Sequence, residues 1–148
     1  MVNIKNLTIL GSTGSIGLQA IDIVRRFPER FRVTALAAGS NVEEMARQVR
    51  EFAPLLVSMA DEAAAEKLAQ LLPDYRSAIV GGSAGAVEAA MHSQADFVIS
   101  AIVGAAGIEP TYAAIKAGKT VALANKETMV AAGRLITDAL KAAGTSLL

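Results

Sequence analysis

Cysteine is missing from all 148 residues, which excludes disulfide frameworks, thiol nucleophiles and thiolate metal sites. Tryptophan is missing too, and aromatics amount to 4%, so any core must be assembled from Ala, Val, Ile and Leu. Neither sign of charge is in excess, with 14 basic residues against 14 acidic ones. That balance argues against nucleic-acid binding by bulk charge and leaves room for a local phosphate site. No apolar run reaches the ~18 residues that suggest a membrane span. Residues 1–10 lack the long apolar core and cleavage signal of a leader. No nucleic-acid or membrane partner is expected, and a reducing cytoplasm is the expected compartment.

What is present is a strongly apolar chain, 53% hydrophobic, of a length suited to one domain. Short apolar runs alternate with helix-periodic segments. Strands are expected at Thr8–Leu10, Phe31–Ala38, Leu55–Met59, Ala78–Val80, Phe97–Val103 and Thr120–Ala124. Helices are expected at Ile16–Phe27 (with Ile16, Ala20, Ile23 and Val24 on one face), from Asn41 to about Phe52, from Asp61 to Leu72, up to about His92, at Ile108–Ala117, and from about Thr128 to Ala143, where Gly144 ends the last. Asn41 with Glu44 three residues on has the form of an N-cap and capping box. The final "GTSLL" reads as the opening of a seventh strand. Such alternation means βαβ units, and strands apolar on both faces fit a sheet buried under two helix layers. The expected fold is a single doubly wound α/β domain of about six to seven mostly parallel strands, Rossmann-like, spanning residues 1–148. Met45, Met59, Met91 and Met129 read as packing residues, and the lone His92 as a solvated helix end.

The stretch "TILGSTGSIG" places Gly11, Gly14 and Gly17 between the first strand and first helix. Glycine weakens a helix, so either this is a plain turn or something approaches the backbone closely. In this context a dinucleotide is favoured. Gly11 would permit the tight turn, Gly14 the approach of a pyrophosphate, and Gly17 close helix–strand packing. The backbone N–H groups of the helix N-terminus would face the phosphates, with Ser12, Thr13 and Ser15 adding hydroxyls. The second strand ends in "LAAGSNVEE", with no carboxylate between Phe31 and Asn41 to hold a bare ribose. Gly39, Ser40 and Asn41 suit a 2′-phosphate better, which favours NADPH, although no Arg or Lys occupies that turn.

Two later strand ends carry further candidates. Gly104 and Gly107 make a glycine-bearing turn, with Pro110 suited to the first turn of a helix. In "VALANKETMV", Asn125 and Glu127 can meet a cofactor and Lys126 an anionic substrate, or Asn125 is an N-cap and Glu127 a first-turn acid. A competing reading takes Ser100, Tyr112 and Lys116 as the Ser, Tyr and Lys of a short-chain dehydrogenase. Against it, Tyr112 falls in the first turn of its helix and the spacing from Gly17 to Ser100 is short. A non-catalytic nucleotide-binding regulator is a third class.

"LGSTGSIGLQAIDIV", "ALAAGSNVE", "AIVGAAGIEPTYAAIKAGK" and "ALANKETMVAAG" together resemble the 1-deoxy-D-xylulose 5-phosphate reductoisomerases, over essentially the whole chain. These are NADPH- and divalent-metal-dependent enzymes of non-mevalonate isoprenoid biosynthesis. The resemblance implies that Thr13, Gly14, Ser15 and Ile16 line the NADPH diphosphate and that Gly39, Ser40 and Asn41 surround the 2′-phosphate. It implies cofactor contacts from Asn125 and Glu127, and contact of Lys126 with the sugar-phosphate substrate. A basic residue is common in the family where Ser40 stands. The family continues into an acidic Asp-Ser-Glu metal motif and a catalytic domain absent from residues 1–148. The expectation is therefore a cofactor domain without catalytic or metal-binding residues of its own, inactive alone. Mg²⁺ or Mn²⁺ and a homodimer are expected of the full-length enzyme, which converts 1-deoxy-D-xylulose 5-phosphate to 2-C-methyl-D-erythritol 4-phosphate.

Overall fold

A computed structural model describes residues 3–124 and 126–148, apart from the side chain of residue 126. The chain forms β1 (Lys5–Leu10), α1 (Ser15–Arg26), β2 (Phe31–Ala37), α2 (Val42–Phe52), β3 (Leu56–Met59), α3 (Glu62–Leu71), β4 (Ile79–Gly81), α4 (Gly82–Ala90), β5 (Phe97–Ser100), α5 (Ile108–Lys116), β6 (Thr120–Leu123) and α6 (Lys126–Ala143), with 3₁₀ turns at Pro73–Ala78 and Ala105–Gly107. The sheet order is β4-β3-β2-β1-β5-β6, and every pairing is parallel. The chain winds outward from β1 to β4, then returns to lay β5 on the other side of β1. The reversal leaves a crevice beyond the carboxyl ends of β1 and β5, where open α/β sheets bind ligands.

The strict alternation of β1 explains the layering. Leu7 and Ile9 join one core with Ala20, Ile21 and Val24 of α1, Met45 and Val49 of α2 and Leu68 of α3. Leu10 joins the other with Ala89, Ala90, Val98, Ala114, Ile115, Val121 and Ile136. Small alanines let α4 and α5 lie close to the sheet, and buried Thr8 donates its hydroxyl to Ala89 O at 2.9 Å. Ile9 and Ile21 are almost fully enclosed; each such side chain is worth about 1.5–3 kcal/mol of burial.

Several boundaries differ from expectation. The buried face of α1 runs through Gly17, Ala20, Ile21 and Val24, while Ile16 and Ile23 are 45% and 50% exposed. The close seat of Gly17 on the preceding turn fixes that rotation. β5 stops at Ser100 and α4 at Ala90. Met45 and Met59 are core residues, but Met91 and Met129 lie at the surface. His92 sits in a turn, its Nδ1 accepting the Gln94 N–H. α6 begins at Lys126 and breaks helical geometry at Ala132, next to Gly133, whose residue type favours such a kink. Beyond Gly144 the chain lies parallel to β6: Leu148 N–H donates to Val121 O, and Leu123 N–H to Leu148 O. This contact is a single parallel bridge, Val121 to Leu147, and among the described residues the sheet itself has six strands where six to seven were expected.

Candidate functional site

The glycine turn is built by exclusion. Gly11 has φ +83°, and a Cβ there would lie 2.5 Å from Ala101 O; a Cβ on Gly17 would lie 2.0 Å from Gly11 O. Both positions therefore admit only hydrogen. Gly11 N–H and Ser12 N–H both donate to Ala37 O, at 2.7 and 3.0 Å, and Gly14 N–H donates to Gly11 O at 3.2 Å. Gly14 is different: its φ is −80°, and a Cβ would meet only Gly11 O, at an ordinary 3.6 Å. Internal packing does not require a glycine there.

Gly14 is also the N-cap of α1. Among the described residues no side chain caps this helix, and its first turn holds no acid. Leu18 N–H is bonded to Gly14 O, so the N–H groups of Ser15, Ile16 and Gly17 precede the helical ladder and have no acceptor within it. Together with the helix dipole they form an anion-attracting end. Thr13 and Gly14 line a cleft of about 470 Å³ with Gly11, Ala37–Gly39 of the β2 end, Ser58–Ala60 of the β3 end, and Ala101–Val103 beyond β5. Ser12 does not contribute a hydroxyl to it. Its side chain is fully buried and its Oγ has no partner among the described residues, because its backbone is drawn against β2. A larger cleft, about 590 Å³, opens toward the amino ends of β1, β2 and β5 between Lys5, Phe31, Phe97 and α1. It is lined mostly by apolar side chains, with Lys5 and Arg30 at its edge, and lies at the end of the sheet opposite the glycine turn.

At the end of β2 the chain turns through exposed Gly39 and Ser40 to Asn41. Asn41 Oδ1 accepts the Glu44 N–H at 3.2 Å, the expected cap. The reciprocal half of a capping box is replaced: the Glu44 carboxylate takes the Arg47 guanidinium and Gln48 Nε2 instead. The Arg47 hydrogen bond, assisted by Gln48, holds Glu44 below the usual carboxylate range. The structure thus places Gly39 on the cleft wall with Thr13 and Gly14, and Ser40 and Asn41 just beyond it.

Residues 101–103, expected as strand, leave the sheet after Ser100 and wall the cleft instead, with Ala101 against the left-handed turn at Gly11. Gly104 then takes φ +79° and donates its N–H to Glu127 Oε2 at 2.8 Å. This bond joins the loop that follows β5 to the first turn of α6. Asn125 lies outside the described residues, and of Lys126 only the backbone, at the start of α6, is described. The dehydrogenase-like trio does not converge. Ser100 is buried and its Oγ is 2.6 Å from Thr111 Oγ1. Tyr112 and Lys116 line a separate groove against α6, with Lys116 Nζ over the ring face, 5.6 Å from its centroid. Among the described residues no three His, Asp or Glu side chains gather as metal ligands, and none of the helices is long and apolar enough to cross a membrane.

Sequence reasoning missed Gln48. It is 1% exposed and its Nε2 donates to Ser12 O at 3.0 Å, tying α2 to the glycine turn. The signal was a polar residue between Met45, Val49 and Phe52 on the buried face of α2.

A parallel, doubly wound sheet with a tight glycine turn and an open helix N-terminus at its switch point defines a dinucleotide-fold domain. The family model for 1-deoxy-D-xylulose 5-phosphate reductoisomerase matches residues 7–133. The reductoisomerase of Chlorobaculum tepidum is 55% identical over 144 residues, which is 97% of this chain and 38% of that protein. The solved reductoisomerase from Zymomonas mobilis in complex with NADPH has a TM-score of 0.93 and 40% identity over 99% of this chain and 38% of its own. Another, in complex with NADPH, fosmidomycin and magnesium, has a TM-score of 0.93 and 38% identity over 98% of this chain and 36% of its own. The chain belongs to the 1-deoxy-D-xylulose 5-phosphate reductoisomerase family, and it spans about 38% of the length of such relatives.

Proposed function

We propose that residues 1–148 are the NADPH-binding domain of a reductoisomerase that converts 1-deoxy-D-xylulose 5-phosphate to 2-C-methyl-D-erythritol 4-phosphate. The observation that carries this reading is the open N-terminus of α1, capped by Gly14 alone and set beside the cleft at the β1–β5 switch point. The residues fit the cofactor: room is kept at Gly14, and N–H donors precede the ladder at Ser15, Ile16 and Gly17. Thr13, Gly14, Ser15 and Ile16 hold the diphosphate. Gly39, Ser40 and Asn41 hold the adenosine 2′-phosphate through neutral hydrogen bonds. Asn125 and Glu127 contact the cofactor from the β6 end, and Lys126 meets the phosphate of the sugar substrate. When bound, NADPH supplies the hydride that reduces the rearranged substrate. The described residues offer no fit for magnesium, so no step through a metal is assigned to them. A cytoplasmic location and pairing with a second copy belong to the same proposal and rest on the family resemblance.

Calorimetry with NADPH and NADH tests it. The expected result is binding of both, with NADPH a few-fold to about tenfold tighter, since hydrogen bonds to the 2′-phosphate without a cation are weaker than charge-assisted ones. Absence of NADPH binding, or equal affinities, would contradict the assignment of Gly39–Asn41. A second assay mixes the chain with NADPH, 1-deoxy-D-xylulose 5-phosphate and Mn²⁺ and follows cofactor absorbance. No turnover is expected; steady oxidation that disappears in Tyr112→Phe would establish the dehydrogenase-like trio instead.

A further inference from the structure

Gln48 lies on the apolar face of α2, yet its amide is polar, buried and only half satisfied: Nε2 bonds Ser12 O at 3.0 Å and Glu44 Oε1 at 3.3 Å, while Oε1 has no partner. Both neighbours of Nε2 are acceptors only, a backbone carbonyl and a carboxylate, so the amide orientation is fixed by chemistry: the NH₂ must face them. Glu44 is itself held by the Arg47 guanidinium. A chain of contacts therefore runs from Arg47 through Glu44 and Gln48 to a single carbonyl in the glycine turn. Nothing about core packing requires a polar group here, since Met45 and Val49 fill the same face.

The carbonyl in question belongs to the Ser12–Thr13 peptide. No peptide bond in the described chain is cis, and in a planar trans peptide the C=O and the following N–H point in opposite directions. Drawing Ser12 O toward Gln48 turns Thr13 N–H away from α2, and Thr13 lines the cleft. Were this peptide to flip, a carbonyl dipole would face the position proposed for the diphosphate and repel it. We propose that Gln48 is a positioning residue for the phosphate-binding turn, its buried amide locking the Ser12–Thr13 peptide with the N–H toward the cleft. The inference rests on the cofactor reading above.

The test compares the parent chain with Gln48→Met, an apolar side chain of similar length, using NADPH and adenosine 2′-phosphate, which lacks the diphosphate. The variant is expected to bind NADPH about tenfold more weakly while its affinity for adenosine 2′-phosphate stays within about twofold, a split that general loosening of the fold would not produce. Unchanged NADPH affinity, or equal loss for both ligands, overturns the positioning role. A second measurement needs no variant: in the ¹⁵N-labelled parent, inorganic pyrophosphate should shift the Thr13 amide resonance together with those of Ser15 and Ile16. An unmoved Thr13 amide, with Ser15 and Ile16 shifting, overturns the inference and leaves the cofactor reading standing. A parent that binds neither NADPH nor pyrophosphate overturns the cofactor reading itself.

Discussion

The first three helices of this domain cover the same face of the sheet, yet they begin differently. α2 is capped by Asn41 and has Glu43 and Glu44 in its first turn; α3 is capped by Asp61, whose carboxylate accepts the Ala64 N–H at 2.7 Å, and has Glu62 in its first turn. Each satisfies one orphan donor and complements its dipole with its own side chains. α1 has no side-chain cap and no first-turn acid among the described residues; its N-cap is Gly14. What α2 and α3 take from their own chain, α1 lacks, and on the proposed function a ligand supplies it. The contrast extends to the glycines of the turn. Gly11 and Gly17 are required by the fold, whereas the fold has room for a Cβ at Gly14.

Substitutions can sharpen or break this contrast. The largest effect is expected at Gly17→Val, where a Cβ would sit 2.0 Å from the Gly11 carbonyl. Overpacking against backbone should cost about 4 kcal/mol or more, or abolish folding. Chemical denaturation checks it, and a parent-like midpoint would remove Gly17 from the packing account. Next, Ser40→Arg supplies the charge the β2 turn lacks and should widen the preference for NADPH over NADH by about tenfold, read as a ratio of calorimetric affinities. The caps come third. Asn41→Ala and Asp61→Ala should each lower stability by about 1 kcal/mol. Only Asn41→Ala should also weaken NADPH, because Asp61 acts on α3 alone; equal effects of both on binding would erase the distinction.

The smallest effect concerns acid. The hydrogen bond from Arg25 holds the Glu51 carboxylate low, as that from Arg47 holds Glu44 low. Carboxylates depressed in the folded state stabilise above their unfolded pKa, about 4.3, and lose that contribution as pH falls through the folded value. Thermal midpoints should be flat from about pH 8 to 6 in this respect and fall only below about pH 4.3. The drop should be modest, since the Arg25 and Glu51 side chains are 50% and 39% exposed. A decline centred near neutrality would point to other groups.

Much of this was legible in the residues because the forces concerned act locally. The short apolar run of β1, the cap Asn41, the helix start at Asp61 and the glycines after β1 all report on neighbours a few positions away. The parts that were not legible depend on distant partners. The apolar run 101–103 reads as strand, but it leaves the sheet after Ser100 and packs beside Gly11 to wall the cleft. Ser12 reads as one more hydroxyl for a ligand, and only its tie to Ala37 of β2 turns it inward. Ile16 and Ile23 read as core positions until the seat of Gly17 sets the rotation of α1. Gln48 interrupts an apolar face, a visible anomaly, but its partner lies 36 residues earlier in the chain.

The central claim, that the uncapped end of α1 is kept open for the diphosphate of NADPH, is tested most directly by giving α1 the cap that α3 has. Gly14→Asp suits the extended φ and ψ already present, −80° and 176°, and places a carboxylate where Asp61 stands on α3. Calorimetric titration of NADPH into parent and variant, with thermal midpoints measured alongside, should show an affinity about a hundredfold lower, roughly 2.7 kcal/mol, in a variant no less stable than the parent. NADPH binding of equal strength in both proteins would contradict the account.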